Sequence, residues 1–201
     1  MRGAALLLVA LTAACTPDIV PGSYFCGPEQ ACPEGQTCDG LSNICVLPTQ
    51  AKPFACTSGT ESEPNDAFAT AQPVLVGASC ASNPTEVRGC TAAEDGQDFY
   101  GFTVPGGCTT VSASARMAFP LAFEPLTLKL VDEAGATVAE GRPCDNDAPD
   151  DGDVRLCIEA NVAPSGTYAV VVARTGEDTC DGACAYNRYD LAVQLRAFAA
   201  P

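Results

Sequence analysis

Apolar and polar residues alternate with a period of two in four separate stretches of the chain. Tyr100, Phe102 and Val104 alternate with Gly101 and Thr103, and Leu126, Leu128 and Leu130 alternate with Thr127 and Lys129. Tyr168, Val170 and Val172 repeat the pattern, as do Tyr189, Leu191, Val193 and Leu195. Successive side chains of a strand point to opposite faces, so each stretch predicts a strand with one buried face. Pro105-Gly106-Gly107, Glu133-Ala134-Gly135 and Pro164-Ser165-Gly166 fall between them as turns. Short strands joined in this way predict an all-β sandwich with the tyrosines in its core.

The N-terminal part is patterned differently. Arg2 is followed by an apolar run from Ala4 to Ala14, too short to span a bilayer, which predicts an export signal over residues 1–14. It ends Leu11-Thr12-Ala13-Ala14-Cys15, which resembles a bacterial lipoprotein cleavage box with Cys15 as the lipidated first residue. Thr12 stands where Leu is commonest, and a plain secretory cut after Ala14 is the competing reading. Residues 15–25 then form a tether. Residues 26–56 carry Cys26, Cys32, Cys38 and Cys45 with almost no hydrophobic periodicity, so crosslinks must hold this module, with a linker behind it. Such a module is a spacer or a protein-binding unit. The sandwich takes residues 57–201.

Thirteen cysteines leave twelve once Cys15 carries a lipid, an even number for six disulfides in an oxidising compartment. The absence of His and of any Cys-x-x-Cys pair argues against zinc and against a thioredoxin-type redox pair. Alternate pairing predicts Cys26–Cys38 with Cys32–Cys45. Local pairing predicts Cys80–Cys90, Cys144–Cys157 and Cys180–Cys184, which leaves Cys56 and Cys108 to join the linker to the sandwich.

Charge narrows the range of partners. The formal net charge is −15 and no basic cluster exists, so neither nucleic acid nor anionic lipid is an expected ligand. Without His, a Ser-His-Asp or Cys-His device cannot be built. Two carboxylates would still serve glycoside chemistry, but the sequence marks no such pair. The chain is therefore expected to be no enzyme.

The acids concentrate in two places. Glu61, Glu63 and Asn65 share one side of an extended run that continues to Asp66, and Asp95 and Asp98 lie on the loop before Phe99. An all-oxygen set of this kind suits Ca²⁺ better than a transition metal, although no standard loop spacing is matched. The alternative is a group of solvated turn acids. Asp145 to Asp153 is a second acidic run, but Pro149 and Ile158 occupy positions where a calcium loop needs ligands, so it reads as a solvated loop.

Five blocks then recur in a familiar order. They are Glu63-Pro64-Asn65-Asp66-Ala67-Phe68, Asp98-Phe99-Tyr100-Gly101-Phe102, Leu126 to Gly135, Gly166-Thr167-Tyr168-Ala169-Val170 and Tyr189-Asp190-Leu191-Ala192-Val193. The series resembles the bacterial pre-peptidase C-terminal domain, the family that includes the collagen-binding domains of bacterial collagenases. The resemblance implies a jelly-roll-like β-sandwich without catalytic activity. It also implies calcium at Glu61, Glu63, Asn65, Asp66, Asp95 and Asp98. Departures are the added cysteines, Phe99 in place of Tyr, and the lack of a peptidase domain.

The expectation is an exported binding or adhesion module, anchored to the membrane through Cys15 and facing an extracellular or envelope protein or polysaccharide. The expected place is the cell envelope, as an outer-membrane lipoprotein. The alternative is a structural or maturation partner of a separate secreted peptidase.

Overall fold

Alternation of the predicted kind organises two five-stranded sheets in the computed structural model, which describes residues 19–56, 59–91, 96–145, 151–176 and 186–197. A short hairpin, β1 (Thr37–Cys38) and β2 (Cys45–Val46), belongs to the N-terminal module. The sandwich strands are β3 (Gln72–Pro73), β4 (Thr85–Thr91), β5 (Gln97–Thr103), β6 (Val111–Pro120), β7 (Leu126–Asp132), β8 (Thr137–Glu140), β9 (Arg142–Pro143), β10 (Asp153–Val162), β11 (Thr167–Arg174) and β12 (Asn187–Ala197). One sheet has the order β4-β12-β6-β10-β9 and the other β3-β5-β11-β7-β8. The pairings are antiparallel except for β3 with β5. No α-helix occurs among the described residues.

Every inward position expected from the period-two pattern is buried. Tyr100, Phe102, Leu126, Leu128, Leu130, Val170 and Val172 meet Ala113, Ala115, Met117, Leu191, Val193 and Leu195 of the facing sheet in one cluster. Tyr168 stacks on Phe102 with ring centroids 5.9 Å apart. β11 goes further than alternation predicts, because Ala169 and Val171 on its other face are buried too. Phe68 and Phe99 pack over them with Val131. Phe68 opens a single 3-10 turn, Phe68–Thr70, so the chain before β3 lies across the back of this sheet.

Gly141 is where the chain changes sheets. β8 and β9 are separated by this one residue yet belong to different sheets. Its N–H donates to the Leu128 carbonyl at 2.7 Å, and a Cβ there would stand 2.8 Å from the Leu128 Cβ. Only glycine lets the bend come this close to β7.

Five disulfides join the ten described sandwich and module cysteines. Cys26–Cys38, Cys32–Cys45 and Cys144–Cys157 pair as expected. Cys80–Cys90 and Cys56–Cys108 do not form; the partners are exchanged into Cys56–Cys90 and Cys80–Cys108. The cause is register. Residues 60 and 61 run along edge strand β4, where Glu61 N–H donates to Arg88 O at 3.2 Å and Arg88 N–H to Thr60 Oγ1 at 3.0 Å, which carries Cys56 to Cys90. Cys108 is buried at the end of the core, and Cys80 packs against that core. Cys15, Cys180 and Cys184 lie outside the described residues.

The module does not stand apart from the sandwich on a free linker. Cys26, Cys38 and Cys45 form one buried cluster with Ala122 and Phe123 of the β6–β7 turn. Phe54, expected in the linker, stacks on Tyr186 at 4.0 Å and meets Phe123 edge-on at 5.0 Å. Arg188 of β12 places its guanidinium 5.9 Å from the Phe54 ring centre and 5.7 Å from that of Phe123. The same group donates to Gly40 O at 2.7 Å. A piece too small for its own core completes one by borrowing the sandwich turn.

Candidate metal centre

The candidate residues are positioned by two local devices. Gln72 at β3 clamps the chain ahead of it, accepting from Ser62 N–H at 2.7 Å and donating to Thr60 O at 3.0 Å. Phe99 N–H then donates to Asn65 O at 2.8 Å, which fixes the fully buried Asn65 beside the start of β5. Asp98 precedes that bond by one residue and is itself fully buried. Carboxylate oxygens of Glu61, Glu63 and Asp98 consequently lie within 4.8 Å of one another.

Glu61 is the most connected of the three. Its Oε2 accepts from Cys90 N–H at 3.0 Å, and its Oε1 accepts from Tyr100 Oη at 2.7 Å and Tyr189 Oη at 3.0 Å. The two hydroxyl oxygens are 2.6 Å apart, and Tyr189 also donates to Asp98 Oδ2. These are four short contacts served by two hydroxyl protons. The donors named here are hydroxyls and a backbone amide.

Asn65 joins the group through Glu63. The end of its amide that faces Glu63 lies 3.0 and 3.1 Å from the two Glu63 carboxylate oxygens. With nitrogen at that end, the orientation that satisfies both groups, the amide donates to Glu63. Asn65 N–H also donates to Glu63 Oε2 at 2.9 Å. Burial nonetheless pushes the Glu63 carboxyl above its usual range, helped by the Glu61 and Asp66 charges. Burial likewise drives the Tyr100 and Tyr189 phenols well above their ordinary range, so both stay protonated donors.

Of the six residues expected as ligands, the structure gathers Glu61, Glu63, Asn65 and Asp98. Asp66 is exposed and acts on Glu63 through its charge, and Asp95 lies outside the described residues. The donor set is entirely oxygen and includes three carboxylates, which fits a hard cation of calcium type.

Three contributors were not anticipated. Tyr100 and Tyr189 are core residues, as expected, but their hydroxyls reach the acids. The spacing Asp98-x-Tyr100 holds the signal, because residues two apart on a strand point the same way. Gly89 is the third: a Cβ there would stand 2.3 Å from the Tyr189 ring and hydroxyl, so glycine makes room for that side chain.

A second polar cleft of about 320 Å³ lies where the module meets the sandwich, lined in part by Asp151, Asp153, Asp190, Arg88 and Arg188. Asp151 is engaged by Arg155, and Asp190 by Arg88 at 3.0 Å. Burial and the Asp151 charge hold the Asp153 carboxyl above its usual range.

No family model matches the chain. No curated protein matches it. Among solved structures it is similar to the pre-peptidase C-terminal domain of collagenase from Bacillus anthracis, at 17% identity over 66% of this chain and 99% of that one, with a TM-score of 0.43. It is also similar to PliG of Aeromonas hydrophila, a periplasmic inhibitor of g-type lysozyme, at 14% identity over 63% of this chain and 96% of that one, with a TM-score of 0.37. The first is the domain type that the sequence blocks resemble.

Proposed function

We propose that this chain is an exported, lipid-anchored, non-catalytic binding or adhesion module whose β-sandwich is stabilised by calcium. Glu61, Glu63, Asn65 and Asp98 hold the ion, with Asp66 and Asp95 as further acids near it. The observation that carries the reading is the convergence of three carboxylates within 4.8 Å, with fewer protons than contacts. Without a cation these charges repel, and residues 61–66 lose their reason to lie against the sandwich. Binding therefore acts on order, coupling metal to folding.

The anchor is Cys15 and the place is the cell envelope, at the outer membrane. All ten described cysteines are paired, and a Cys180–Cys184 bridge would leave Cys15 as the odd thiol for acylation. The ligand is an extracellular or envelope protein or polysaccharide. A non-catalytic role is supported by the absence of His and by the Asp151 and Asp190 carboxylates being taken up by arginines.

Calorimetric titration with calcium, beside the same titration of Asp98→Asn, tests the metal. Binding by the wild type and loss in the variant are expected; no heat and no change in melting between millimolar calcium and chelator would return the acids to solvated turn residues. Mass spectrometry of the N-terminal peptide tests the anchor, and an unmodified Cys15 there removes it.

A further inference from the structure

Nine large apolar side chains are exposed among the described residues, and six of them, Ile19, Val20, Tyr24, Phe25, Leu41 and Leu47, belong to the small N-terminal module together with residues 19–25 of the tether, which Gly22 and Tyr24 bond to it at Cys45. The module's other side already has its partner, since Cys26, Cys38 and Cys45 are buried against Ala122 and Phe123. Backbone bonds gather part of the exposed set at one end. Ser23 N–H closes a turn on Val20 O at 3.3 Å, and Gly22 N–H donates to Cys45 O at 2.8 Å, which brings the Val20 turn alongside Val46 and Leu47. Gln36 Nε2 donates to Ile19 O at 3.2 Å and holds the incoming chain there.

We propose that this end of the module, with Ile19, Val20, Tyr24 and Leu47, is a seat that inserts into the lipid bilayer surface beside the anchor. The inference rests on the reading of Cys15 as lipidated. Only Thr16, Pro17 and Asp18 separate Cys15 from Ile19. Four residue steps reach at most about 14 Å, and a headgroup layer is itself roughly 5–8 Å deep. A module held that close keeps its apolar end against the membrane. Removing Ile, Val and Leu side chains from water is favourable, and a tyrosine ring suits the interface, apolar in its body and polar at its tip. Glu29, Glu34 and Asp39 outnumber Lys52 on the module, so the contact is apolar and gains nothing from anionic lipid. The lipid then restrains the whole protein, because the module is docked to the sandwich through Arg188 and Phe54.

The chain contains no Trp, so Tyr24→Trp supplies a single reporter. The mature full chain carrying it is placed on phosphatidylcholine vesicles with brominated acyl chains, anchored in one arm by its native lipid and in the other by coupling Cys15 to a maleimide headgroup. Emission is expected to shift to shorter wavelength and to lose most of its intensity to bromine in both arms, unchanged at high salt. A Val138→Trp reporter on β8 is expected to keep its emission. Ile19→Ser with Val20→Ser and Leu47→Ser, added to Tyr24→Trp, is expected to restore most of the lost intensity, with unchanged melting and disulfide content showing that the fold survives. Emission at position 24 that bromine leaves untouched while acrylamide quenches it overturns the seat, as does equal bromine quenching at positions 24 and 138. The coupled arm reads this result even if native Cys15 proves unmodified, an outcome that removes the anchor instead.

Discussion

The hydroxyl oxygens of Tyr100 and Tyr189 lie 2.6 Å apart, one carried by β5 and the other by β12, so the two sheets touch through polar atoms inside an apolar core. Both hydroxyls also reach Glu61, which makes the chain before β3 the third member of the contact. Tyr189 has the additional bond to Asp98. In chelator, Tyr189→Phe is expected to cost about 1–3 kcal/mol and Tyr100→Phe less, because Tyr189 still serves both acids. Denaturant midpoints of the two variants decide it, and a larger loss for Tyr100→Phe contradicts this division of roles.

Gly89→Ala tests the site without touching an acid. The new methyl group would meet the Tyr189 ring and push it from Asp98 and Glu61. For the wild type, calcium at a hundredfold excess over Kd is expected to add about 2.7 kcal/mol, or roughly 5–10 °C in melting temperature. In Gly89→Ala most of that rise should disappear although every candidate ligand is present. A full calcium response in this variant would show that the tyrosine does not shape the site.

Peptide mapping under non-reducing conditions should recover Cys56–Cys90 and Cys80–Cys108. Replacing Cys56 and Cys90 together by Ser opens a closed loop whose ends are 34 residues apart in sequence. The expected loss is about 3–4 kcal/mol by the chain-entropy relation. Thermal melting of the double variant measures it.

Arg188→Lys should loosen the module almost as much as Arg188→Ala. Lysine keeps the charge but loses the planar group that lies near Phe54 and Phe123 and donates to Gly40 O. A cost of roughly 1–3 kcal/mol is expected for either variant. Faster proteolysis of residues 46–56 reports undocking, and full protection in Arg188→Lys would show that charge alone suffices.

Acid should loosen the module at Asp39. Ser42 Oγ and the Ser42 and Lys52 N–H groups donate to this carboxylate at 2.6, 2.9 and 2.7 Å, and the Ser42 hydroxyl is the main cause of a pKa below the usual aspartate range. A depressed folded value means that the stabilisation is present above the unfolded value, about pH 4, and is lost as pH falls through the folded one. Amide exchange at Ser42 and Lys52 should accelerate in that window, and Asp39→Asn should flatten the pH dependence.

The strands were legible where large apolar residues alternate. β6 was not, because its inward series Val111, Ala113, Ala115, Met117, Phe119 contains two alanines that carry little hydrophobic signal beside Ser112, Ser114 and Arg116. Glu61, Glu63, Asn65 and Asp98 were legible as a group because two short runs of chain place them. Asp66 is exposed in the structure and reaches the group through its charge on Glu63. The exchanged disulfides and the docked module were hidden for one physical reason. Both depend on which distant segments lie beside β4 and the β6–β7 turn, and short sequence separation is no guide to that.

The Cys56–Cys90 bridge changes how the protein bears a pull. Glu61, Glu63 and Asn65 all lie inside the loop that this bridge closes. Tension arriving from an N-terminal tether passes through the sulfur atoms directly into β4, and from there into β12. On the proposed anchoring that path bypasses residues 59–84, and a cation bound at Glu61, Glu63 and Asn65 would be shielded from the load.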